Sequence, residues 1–89
     1  MKPLIFEHVM PTVFKLRGFT FKFYSNENNE PPHVHVIKGT AESKWWIDPS
    51  LEEEYSDGFK VQELRTIREL LKEHHHALLQ AWKDHLSED

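Results

Sequence analysis

Hydrophobic and polar positions alternate along the first half of the chain and then change period. From Thr12 to Arg17, Phe14 and Leu16 face one way and Lys15 and Arg17 the other, the two-residue repeat of a strand. After Gly18, the aromatic residues Phe19, Phe21 and Phe23 alternate with Thr20, Lys22 and Tyr24, which predicts a half-buried strand with an aromatic core face. Ser25 to Pro32 is dense in turn formers and reads as a loop. His33 to Lys38 reads as a third strand, Gly39-Thr40 as a tight turn, and Ala41 to Ile47 as a fourth strand. That fourth strand buries Ala41, Trp45 and Ile47 and leaves Glu42, Lys44 and Trp46 on the other face. Asp48-Pro49 ends it, because proline cannot donate to a ladder.

Leu51 to Gly58 reads as an acidic connection in which Ser56 or Asp57 could cap a following helix, with Glu63 in its first turns. From Phe59 onward, Leu64, Ile67, Leu71, Leu78, Trp82 and Leu86 keep helical spacing. A single helix over this stretch would be about 40 Å long, roughly twice the length of the strands. A break or bend near Glu73 to His76 is therefore expected. The pattern predicts one α+β domain over residues 1–89: a small, four-stranded, mainly antiparallel sheet over 12–48, with a C-terminal helix or helix pair over 59–86 packed on its aromatic face. Its expected core is Phe14, Leu16, Phe19, Phe21, Phe23, Val34, Val36, Trp45, Ile47, Leu64, Ile67, Leu71, Leu78 and Trp82.

Composition narrows the chemistry. The 89 residues include no cysteine, which excludes disulfides, thiolate catalysis and cysteine-ligated zinc. No signal peptide is legible, and no apolar stretch approaches the roughly 20 residues of a membrane span, so the expected setting is cytoplasmic, without membrane contact. The net charge of −4 is uneven: residues 1–48 carry six Lys/Arg against five Asp/Glu, and residues 49–89 carry five against ten. That balance argues against a general nucleic-acid binder, although the mildly basic first half could meet phosphates locally.

Candidate chemistry centres on Pro31-Pro32-His33-Val34-His35-Val36. On a strand, His33 and His35 share one face and Val34 and Val36 the other. Paired imidazoles suit proton transfer, one ring accepting while its protonated neighbour donates. Cleavage of an RNA phosphodiester would fit, with Lys22 or Lys38 stabilising the phosphorane charge. They also suit metal binding, with Glu30, His8 or Asp48 as a third ligand, though none has diagnostic spacing. The bland alternative is a polar pair on a solvated sheet face. Of His74-His75-His76, one ring is expected to fill the gap in the apolar stripe between Leu71 and Leu78. Trp46, on a polar face with Lys44 and Glu42, is a candidate contact for a partner.

Several stretches together carry a resemblance: Met10-Pro11-Thr12-Val13, Gly18-Phe19, Tyr24-Ser25-Asn26-Glu27, the Pro-Pro-His-Val-His-Val run, Ala41 to Trp46, Asp48-Pro49, Leu64-Arg65 and Ala81-Trp82. In this order the chain resembles a small bacterial family, domain of unknown function 4160, from Met10 to about Leu86. Members typically start at the Met-Pro-Thr, so the resemblance implies that Met1 to Val9 is an extension or that Met10 is the true start. The family has no established activity, and it supplies no catalytic residues and no cofactor. Its genes often neighbour a second family of unknown function, numbered 2442, in an arrangement similar to toxin–antitoxin modules. The resemblance thus implies an interaction protein with a small protein partner. A ribonuclease-like toxin using His33 and His35, or a metal-binding module, remain the alternatives.

Overall fold

The computed structural model describes residues 12–24 and 30–87. The expected extension Met1 to Val9, the candidate ligand His8 and most of the 25–32 loop lie outside those residues. Five strands follow in order: β1 (Thr12–Leu16), β2 (Phe19–Lys22), β3 (His33–Lys38), β4 (Ala41–Trp46) and β5 (Glu52–Asp57). They form one antiparallel meander in the order β1-β2-β3-β4-β5. The fold is α+β, as expected, with one strand more than the sequence pattern predicts.

That fifth strand occupies the stretch read as a connection. Glutamate is a poor strand former, so Glu52-Glu53-Glu54 carries no strand signal of its own. Pairing with β4 overrides the propensity, with Glu42 opposite Asp57, Lys44 opposite Tyr55 and Trp46 opposite Glu52. The register shifts between Lys44 and Trp45, whose partners are Tyr55 and Glu53. Glu54 is the extra residue of this bulge, and the bulge re-aims its side chain.

The turns follow from local backbone chemistry. Arg17 and Gly18 both have positive φ, 52° and 87°, as a two-residue hairpin of the primed type requires. Gly39, at φ 60°, opens the β3–β4 turn.

Two helices close the chain, α1 (Val61–Glu73) and α2 (His75–Ser87). The break falls within the expected window, at His74, whose φ −107° and ψ 21° leave the helical region. The N-cap is Lys60, not Ser56 or Asp57, because both of those are taken into β5 by its ladder. Glu63 accepts a hydrogen bond from the Lys60 backbone N–H at 2.9 Å, the carboxylate half of a capping box.

Phe19, Phe21, Phe23, Val34, Val36, Trp45 and Ile47 from the sheet meet Ile67, Leu70, Leu71, Leu78 and Trp82 from the helices in one core. Phe14, Leu16 and Leu64 are half-buried against it, so the edge strand β1 contributes less than expected. Leu70 was not expected in the core; it shares the buried side of α1 with Ile67 and Leu71. Two rings of the histidine run, rather than one, are engaged. His75 Nε2 lies 2.6 Å from the Ile47 carbonyl, and His74 packs 5.4 Å from Phe14, while His76 is exposed. The helix break turns successive residues toward different neighbours. Each fully buried large side chain contributes on the order of 1.5–3 kcal/mol.

The Lys60 backbone hydrogen bond, reinforced by Lys38, holds the Glu63 carboxyl below its ordinary value of 4.5. A depressed folded pKa gives stability that is present above 4.5 and lost as pH falls through the lowered value. Glu63→Gln should lower the thermal midpoint at neutral pH while changing little in acid, and so flatten the dependence between the two, as read from thermal midpoints across pH.

Candidate functional site

β3 lies at the centre of the sheet, and its alternation places Val34 and Val36 toward the helices and His33 and His35 on the other face. Both rings are buried, with relative exposures of 0% and 2%. A solvated polar face is therefore not what the structure contains. Polar side chains of the neighbouring strands and aromatic rings close over the pair.

Each ring is held by its Nδ1. His33 Nδ1 lies 2.8 Å from the Pro31 carbonyl; a carbonyl only accepts, so this nitrogen carries the proton. His35 Nδ1 lies 3.1 Å from Glu42 Oε2 and donates to the carboxylate. The same oxygen accepts from Tyr24 OH at 3.1 Å and Tyr55 OH at 3.2 Å. One carboxylate oxygen thus gathers donors from the segment after β2, from β3 and from β5.

Aromatic contacts complete the packing. Tyr24 stacks on His35 with centroids 3.9 Å apart and planes at 13°. His33 and His35 meet edge to face at 5.5 Å. Trp46 and Trp82 approach His33 at 5.4 and 5.0 Å, and Trp82 also meets Phe23 at 5.2 Å. Trp82 therefore joins the helical core to the histidine pair.

The expected supporting residues divide. Lys22 stands opposite His35 in the β2–β3 register and shares its face. Lys38 does not join the pair: it falls on the opposite alternation of β3, with Nζ 3.4 Å from Glu63 Oε2 and 5.3 Å from the Phe19 centroid. Of the expected partner contacts, Lys44 is buried, donates to Glu30 Oε1 at 2.7 Å and sits 4.6 Å over the Trp46 ring. Trp46 is half-buried, and its Nε1 donates to Glu54 at 2.8 Å. Glu42 is the acceptor hub. These three residues form internal structure more than a free surface, because β5 supplies Tyr55 to Glu42 and Glu54 to Trp46, and Glu30 meets Lys44.

Sequence reasoning did not mark Tyr24, Tyr55 or Glu54 as part of this arrangement. Tyr24 was legible as in phase with Lys22, but β5 had no strand signal. Among the described residues, no group of three or more His, Asp or Glu is placed to hold a metal ion. Glu30 is 3.7 Å from His33 Nδ1, the nitrogen already committed to Pro31, and Asp48 is exposed. No helix among the described residues is long and apolar enough to cross a membrane.

Removing the hub should cost more than removing a spoke. Glu42→Ala removes the acceptor that three donors share and is expected to destabilise by roughly 1–3 kcal/mol, against under about 1 kcal/mol for Tyr55→Phe. Urea midpoints at constant slope measure both.

No curated protein and no solved structure matches the chain. Residues 18–83 match a family described as a domain of unknown function. That span runs from the β1–β2 turn into α2 and includes the histidine pair, the Glu42 hub and Trp82, and on this match the chain belongs to the DUF4160 family.

Proposed function

We propose that this chain works by binding a small partner protein, as one half of a toxin–antitoxin-like pair in the bacterial cytosol, and that the partner engages strand β5. The observation that carries this reading is the character of that edge. β5 pairs with β4 on one side and is the last strand of the sheet. Glu52, Glu53, Glu54, Tyr55 and Asp57 are all exposed. Like charges along an edge strand discourage pairing with another copy of the same edge. They favour an extended segment rich in Lys or Arg, whose main chain continues the ladder and whose cations meet the carboxylates. Tyr55 adds an aromatic body among these charges, and Glu54 and Lys44 hold Trp46 beside them.

The ribonuclease reading has less support. A catalytic pair has to touch its substrate, whereas His33 and His35 are buried and each Nδ1 is committed to an internal acceptor. Substitution of either histidine is expected to lower stability without altering RNA integrity in the host. RNA cleavage lost on His35→Ala, with folding retained, would restore that reading.

A protein of the second small family of unknown function, numbered 2442, is the partner to test. Calorimetry with the two purified proteins should give saturable binding that weakens with salt. The Glu52→Lys/Glu53→Lys/Glu54→Lys variant should bind at least about 100-fold more weakly. Absence of binding, or binding indifferent to these reversals, overturns the proposal.

A further inference from the structure

A second polar feature lies at the β1–β2 turn and does not involve β5. Arg17 occupies the left-handed region at φ 52°, where Asn, Asp or Gly is the usual choice for such a turn. A residue kept in a sparsely populated conformation points to a use for its side chain. Beside it, the Lys38 side chain crosses Gly18, its Cε 3.8 Å from where a glycine Cβ would stand. Gln62, Glu63 and Thr66, from the first turns of α1, complete a hollow of about 290 Å³ with Arg17, Phe19 and Lys38.

The charges in this hollow are not balanced. Glu63 is committed through Oε1 to the Lys60 backbone N–H at 2.9 Å. Its other oxygen meets Lys38 at only 3.4 Å, and the Lys38 side chain is 48% exposed. An exposed pair of this kind holds its partners weakly, so Lys38 can turn toward a stronger anion. Arg17 offers a planar fork that matches two oxygens of a phosphate, and Lys38 a point charge for a third. The N-terminal end of α1 adds partial positive charge.

We propose that this hollow binds a phosphate dianion, free or carried as a small phosphomonoester. The test is a titration of the full chain with inorganic phosphate at constant ionic strength, followed by amide chemical shifts. Saturable millimolar shifts are expected at Arg17, Gly18, Lys38, Gln62 and Thr66. Glycerol phosphate in a parallel arm identifies the source: tighter binding than inorganic phosphate indicates an ester, weaker binding the free ion, and either result supports the site. Acetate should produce no saturable shift at these residues.

Arg17→Asn keeps a residue suited to the turn and removes the guanidinium. It should weaken phosphate binding at least about tenfold while holding or raising the thermal midpoint. Lys38→Gln should weaken it comparably. Acetate shifts equal to those of phosphate, or affinity unchanged in Arg17→Asn, overturn the proposal.

Discussion

A strand covered on both faces must find a partner for every polar atom it buries, because an unmet donor or acceptor inside a fold costs on the order of 1–3 kcal/mol. β3 is such a strand. On its helix side Val34 and Val36 need only packing, which Phe21, Trp45 and the helices provide. On its other side two imidazoles are buried, and their ring nitrogens require named acceptors. Pro31 supplies a carbonyl from the segment leading into the strand, and Glu42 supplies a carboxylate from the next strand. Glu42 in turn draws in Tyr24 and Tyr55, so the segment after β2 and the strands β3, β4 and β5 are tied through one oxygen atom.

This requirement explains why the acidic 52–57 segment is a strand. Its glutamates oppose the assignment by propensity and by mutual repulsion. The ladder to β4, the Tyr55 hydroxyl on Glu42 and the Trp46–Glu54 hydrogen bond oppose that cost. The bulge at Glu54 lets both side chains reach their partners by giving β5 one extra residue against β4. Once in place, the segment closes the polar side of the sheet near Lys44 while leaving its outer edge acidic and open. The proposed partner surface is thus the outer edge of the same strand whose Tyr55 and Glu54 serve the internal network.

The histidines themselves illustrate how burial changes the reading of a motif. His-x-His on a strand fixes that two imidazoles share a face, but it does not fix whether water, a metal, a substrate or a carboxylate meets them. Here the deciding partner, Glu42, lies seven residues away across a hairpin, and the covering rings, Trp46 and Trp82, come from β4 and α2. Lys38 illustrates the converse. It lies three residues beyond His35, yet strand alternation sends it to the opposite face, where Glu63 meets it.

Local pattern alone determined the first four strands, the aromatic core face, the turns at Gly18 and Gly39, and the helix break near His74, because period, turn chemistry and helix length act between residues close in the chain. Phe19, Phe21 and Phe23 or Ile67 and Leu71 could be placed without knowing what they touch. Only the tertiary structure decided that β5 exists, that Lys60 caps α1, that Leu70 joins the core, and that the histidine pair is enclosed around Glu42. Those outcomes depend on partners distant in sequence, whose combined packing and hydrogen bonding outweigh the weak preferences of single residues.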